Sequence, residues 1–177
     1  NFADEAGLGR ALRELRKRVM LRVIARDLGG LADLAEVVAT VSALADIAIA
    51  SAVEHLERWL AFEIGTPTGS DSGDAQKLHV VGMGKLGGRE LNVSSDIDLI
   101  YVYEDDGQTA GPIPISAHEY FGKVAKRLYA LIGDATDEGF VFRVDLALRP
   151  NGNSGPPVVS LAMLEEYFQV QGREWER

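Results

Sequence analysis

The segment from Lys77 to Glu104, KLHVVGMGKLGGRELNVSSDIDLIYVYE, constrains this chain more than any other. It reads as an apolar strand over Leu78 to Val81, a glycine-rich turn, and a second strand that opens Asp96-Ile97-Asp98. Gly82 to Gly87, GMGKLG, has the GxGxxG spelling of a dinucleotide-binding turn. That turn needs a full crossover helix before the next parallel strand. Too little chain remains between Gly88 and Asp96 for such a helix and its loops, so the dinucleotide-binding fold fails on geometry.

Side chains alternate along a strand, so Asp96 and Asp98 share one face while Ile97 and Leu99 take the other. Two neighbouring carboxylates repel each other, and a core does not gather them without a cation. All-oxygen ligands suit a hard divalent ion, most naturally magnesium. The glycines have a second use, letting backbone N–H groups approach a phosphate, helped by the start of a short helix near Gly88-Arg89.

Charge and composition narrow the options. A formal net charge of −9 opposes binding nucleic acid through a broad basic surface, but not a nucleotide held locally through a metal. The chain has no cysteine, which removes disulfides, thiolate nucleophiles and thiolate metal sites. At 177 residues it suits one domain, or a small domain with an attached helical unit. No uninterrupted apolar run reads as bilayer-spanning and the start is too charged for a secretory signal, so a cytoplasmic location is expected. Asn1 in place of an initiator methionine, and a tail that stops at Arg177 without a helix-ending Gly or Pro, read as a portion of something longer.

In chain order, Leu8, Leu12, Leu15, Val19 and Val23 predict a helix from Phe2 to about Asp27, broken by Gly29-Gly30. A second helix follows from about Leu31 to Phe62 on a stripe of Leu34, Val37, Val41, Leu44 and Ala48. The basic run Arg13 to Arg18 reads as a solvated face, and His55 as a surface or packing residue. Residues 1–64 are thus expected as a helical hairpin, 65–76 as a polar linker, and 77–177 as the catalytic core. Asp105 to Pro114 reads as a loop. Ser116 is placed to cap a helix to about Ile132, with Glu119 completing a capping box. FVFRVDLALRP reads as a third strand ending at Pro150, with Arg143, Asp145 and Arg149 on one face; Asn151 to Pro157 is a loop, and Ser160 caps a last helix. The expected class is α+β, a small mixed β-sheet with flanking helices, preceded by two long antiparallel helices.

A strand, a glycine turn and a strand bearing D-x-D resemble the nucleotidyltransferase superfamily that includes DNA polymerase β. In that pattern a Gly-Ser or Gly-Gly pair precedes the acids; here Gly84-Lys85 stands nearest, and Ser94-Ser95 offer hydroxyls in part compensation. The resemblance implies a third carboxylate on a neighbouring strand. Asp145 fits, although taken alone it reads equally as an ion-pair partner of Arg143 or Arg149.

The longer words go further. GMGKLGGRELNVSSDIDLIYVY, FRVDLALRPNGNSGP and LEEYFQVQGREWER, in this order, resemble the family of bifunctional glutamine synthetase adenylyltransferase/adenylyl-removing enzymes over about Leu78 to Arg177. That family carries two nucleotidyltransferase domains. Asn92 to Asp98 and the tail Tyr167 to Arg177 resemble the N-terminal, adenylyl-removing one; the transferase half more typically reads Gly-Tyr-Gly-Ser-Asp-Leu-Asp. Val93 stands where the family usually has phenylalanine. The resemblance implies phosphorolysis: inorganic phosphate attacks the AMP on a tyrosine of glutamine synthetase, releasing ADP. It implies Asp96, Asp98 and Asp145 as catalytic ligands of magnesium, with two ions expected. Gly84, Lys85, Ser94, Ser95, Arg143 and Arg149 are expected around the nucleotide and phosphate, with Lys85 and Arg149 the preferred cations and Arg89 a further candidate. Arg173 and Arg177 read as structural. Control by the signalling protein PII is expected to need the rest of such an enzyme. Two rivals stand beside this reading: adenylyl transfer from ATP, and a non-catalytic binding module.

Overall fold

Helix α1, Glu5–Leu28, begins where Asp4 Oδ1 accepts the Gly7 N–H (2.7 Å), and the chain leaves it at Gly29-Gly30, the second of which takes φ +65°. Asp33 caps α2, Leu34–Ile64, by accepting from Glu36 N–H (2.8 Å), so this helix starts one turn later than its apolar pattern predicts. Arg26 fastens the connection, donating to Glu36 (Nε–Oε1 2.7 Å) and to the Leu31 carbonyl (2.8 Å). The computed structural model describes residues 2–172; Arg173, Arg177 and the end of the family-like tail lie outside the described residues.

Against expectation, α2 is long and apolar enough by length and composition to cross a bilayer, with a mean hydropathy of 1.7 in its best window. Its stripe of Val41, Ala45, Ala48, Ala52, Leu56 and Leu60 is instead buried in the same cluster as α1 and α4, as in the core helix of a globular fold.

Four strands form the main sheet, with β3, Ile97–Tyr103, at its centre. β2, His79–Met83, pairs antiparallel along one edge of β3, from His79↔Val102 to Met83↔Asp98. The other edge is shared. β5, Val144–Asp145, runs parallel to the start of β3, and β6, Val158–Ser160, runs parallel to its end. A separate antiparallel pair joins β1, Pro67–Gly69, to β4, Gly107–Thr109. The stretch expected as a linker is therefore folded, with Gln76 buried and its Oε1 accepting from Asp105 N–H (2.9 Å).

β3 presents two different faces. Ile97, Leu99, Tyr101 and Tyr103 enter the main core beside Phe121, Val124 and Leu128 of α4, Ala117–Gly133, and Tyr103 stacks on Phe121 at 5.1 Å. Ile100 and Val102 face the other way and are covered by Val159 and by Leu164 of α5, Leu161–Val170. This second cover stops short of Asp98. Ser116 caps α4 through Glu119 N–H (3.1 Å), but the Glu119 side chain pairs with Lys123 (3.0 Å) instead of closing a capping box.

Two other expectations are corrected. The third strand is two residues long, because Ala147 N–H donates to Asp145 Oδ1 (2.7 Å) and turns the chain away from the sheet. The basic run is only partly solvated: Lys17 and Arg18 are exposed, but Arg13 is buried. Arg13 Nε donates to the Gly139 carbonyl (2.9 Å), and the Arg16 guanidinium lies 4.7 Å from the Phe140 ring centre. His55 packs between Phe2 and Trp59 and shares a hydrogen bond with the Ser51 carbonyl (2.8 Å).

Candidate active site

The site lies at the uncovered end of β3. Parallel register sets Asp98 beside Asp145 and Ile97 beside Val144, so Asp96 and Arg143, one residue earlier on each chain, are also neighbours. Registered residues of paired strands project to the same face. Two rungs result, Asp96 with Arg143 and Asp98 with Asp145.

The glycine turn closes one side. After β2 the chain makes a single helical turn, α3, Gly84–Gly87, which starts before the Gly88-Arg89 position expected for it. Gly84 has φ +52°, and a Cβ there would stand 2.7 Å from Asp98 Oδ2. Only glycine meets both conditions without displacing a carboxylate. Lys85 reaches across to Ser95 Oγ (3.4 Å). Asn92 gathers the opposite wall: its Oδ1 accepts from Ser94 N–H (3.1 Å), Ser94 Oγ (3.2 Å) and Ser95 Oγ (2.9 Å). Asn92 stands in the family-like segment with no role expected for it. An Asn followed two residues later by Ser is an Asx-turn signal that would have found it.

Gly84, Lys85, Asn92, Ser94, Ser95, Asp96, Asp98, Arg143 and Asp145 together line a pocket of about 460 Å³. Arg149 does not join them. Its Nη1 donates to the Leu146 carbonyl (2.8 Å), so it braces its own turn. Arg89 faces Asp46 (3.3 Å) on the wall of a larger cavity of about 920 Å³ between α2 and β2, which holds none of the three acids. Among the described residues, Lys85 and Arg143 are the cations that line the acidic pocket.

Charge is concentrated here. Partial burial, then the carboxylates of Asp145 and Asp96, push the Asp98 carboxyl above its ordinary range, with Lys85 opposing. Arg143 does not pair with Asp145: its Nε donates to Asp96 Oδ1 and its Nη2 to the Ser94 carbonyl (2.7 Å). Among the described residues no three His, Cys, Asp or Glu side chains stand converged as a metal cage. One oxygen of Asp96 is engaged by Arg143, and one of Asp145 by Ala147 N–H. The donors remain suited to magnesium: carboxylates on the adjacent strands β3 and β5 and one just before β3, with Asp98 destabilised first by burial and then by the others' charge.

The sequence model of the glutamate-ammonia ligase adenylyltransferase family matches residues 1–177. Three relatives carry the name bifunctional glutamine synthetase adenylyltransferase/adenylyl-removing enzyme. The one from Burkholderia mallei is 58% identical over 98% of this chain, the one from Chromobacterium violaceum 57% over 99%, and the one from Nitrosomonas europaea 54% over 100%. In each case the chain spans 19% of the relative's own length. A match along its full length, joined to identities above one half, makes the chain a member of the glutamate-ammonia ligase adenylyltransferase family.

Proposed function

We propose that this chain is an adenylyl-removing unit, which strips AMP from a tyrosine of glutamine synthetase by phosphorolysis. The observation that supports it most is the register Asp98↔Asp145, which puts the third acid of the expected trio beside the D-x-D pair at the open end of the sheet. The choice of direction rests on the segment Asn92 to Asp98 and the tail Tyr167 to Arg177, which resemble the removing half of the family.

An oxygen of inorganic phosphate attacks the phosphorus of the AMP group. The bond from phosphorus to the tyrosine oxygen breaks, ADP forms, and the tyrosine oxygen takes up a proton. Asp96, Asp98 and Asp145 would hold magnesium, which when bound neutralises phosphoryl oxygens and stabilises the departing tyrosine oxygen. Lys85, next to Ser95, supplies a mobile positive charge for the incoming phosphate. Ser94 and Ser95, fixed by Asn92, present hydroxyls on the same wall. Gly84 leaves room for the Asp98 carboxylate to face the pocket.

The test is to mix the chain with adenylylated glutamine synthetase, magnesium and phosphate, and to measure ADP. Asp98→Asn is expected to lower ADP release at least about a hundredfold. Undiminished turnover in that variant would end the reading. In a parallel reaction with ATP and unmodified glutamine synthetase, incorporation of AMP would favour the transferase direction instead.

A further inference from the structure

The two rungs of the site carry unequal charge. Asp98 faces Asp145, acid against acid, whereas Asp96 faces Arg143, acid against base. The arginine is doubly held, by the Asp96 carboxylate and by the Ser94 carbonyl (2.7 Å). It therefore occupies an oxygen that an all-carboxylate cation site would use.

We propose that Arg143 is a stand-in cation: it neutralises Asp96 until a divalent ion binds, is displaced by that ion, and then turns to the anionic phosphate. This deepens the phosphorolysis reading and rests on it. The exchange needs little rearrangement. The side chains of Arg143 and Asp96 are 58% and 48% exposed, so the guanidinium can leave without opening the core. An ion pair in such solvent is weak, so a doubly charged ion at the same carboxylate outcompetes it. Once displaced, a guanidinium beside a bound cation is repelled by it, and a phosphate oxygen is the partner that relieves both charges. The arginine's two duties are then ordered in time, with cation first and phosphate second.

The proposal is tested by manganese binding, followed by the electron paramagnetic resonance of free Mn2+, on wild type and on Arg143→Gln without phosphate. The variant is expected to bind Mn2+ about two- to tenfold more tightly, because a competitor and a like charge are gone. With Mn2+ saturating, isothermal titration with inorganic phosphate is expected to show at least about tenfold weaker binding in Arg143→Gln. Arg143→Lys, which keeps the charge but loses the fork, is expected to fall between the two in Mn2+ affinity. It serves in place of Arg143→Gln if circular dichroism shows the latter unfolded. Unchanged or weaker Mn2+ binding in the folded variant overturns the exchange. If wild type still binds Mn2+ and releases ADP in that case, only the exchange falls. If wild type neither binds Mn2+ nor releases ADP, the phosphorolysis reading falls with it.

Discussion

Leu99 and Asp98 are adjacent in sequence and sit on opposite faces of the same strand, with opposite physical roles. The Leu99 face is closed by α4, with Ile97, Tyr101 and Tyr103 buried alongside it. The Asp98 face is closed only partway, by Val159 and Leu164 over Ile100 and Val102, and ends at a carboxylate whose pKa is raised by partial burial and then by its neighbours' charges. One face stabilises the fold through apolar burial. The other holds electrostatic repulsion that the first must outweigh, as functional sites commonly do.

Substitutions on the strand and in the glycine turn beside it put this contrast to the test. The largest effect is expected from Leu99→Ala, which removes a fully buried side chain and should lose about 2–5 kcal/mol in denaturant unfolding. A loss near zero would mean that the closed face is not the one holding the sheet. Gly84→Ala comes next. Its positive φ and the crowding of Asp98 predict a loss of about 1–3 kcal/mol, and a drop in ADP release larger than the stability change explains. Full activity in Gly84→Ala would show that the turn does not set the carboxylate's position.

The smallest effect has the reverse sign. Because the folded state raises the Asp98 pKa, the folded chain holds that proton more tightly than the unfolded chain does. The group's contribution to stability is therefore present in acid and lost as pH rises through the raised pKa. Asp98→Asn, melted with a chelator present, should be slightly more stable than wild type at neutral pH, and the gap should close as pH falls into the carboxylate range. A variant that melts lower at neutral pH would show that Asp98 contributes more through its contacts than it loses to burial and repulsion.

Much of this is legible in the sequence. The alternation of Asp96 to Leu99, the Ser116 cap and the apolar face of α4 are local patterns, and local geometry realises them. What escaped the sequence depends on distant partners or on elements too short to show a period. Arg13 is buried because its guanidinium finds the Gly139 carbonyl, 126 positions away. β1, β4 and β6 are three residues each, and β5 is two, too few for alternation to appear. An uninterrupted strand would put Arg149 on the acidic face; the Asp145–Ala147 bond ends that strand, and the arginine turns onto its own loop.

The divided edge of β3 has a consequence for how such a scaffold can diversify. The chain leaves the sheet after Asp145 and re-enters it at Val158, so two short clamps hold both ends of the intervening segment. Lengthening a segment anchored in this way adds only about 0.6 kcal/mol per doubling. Its length is thereby only weakly coupled to the architecture, and added residues could present new recognition surfaces next to the acids while the frame that aligns them stays as it is.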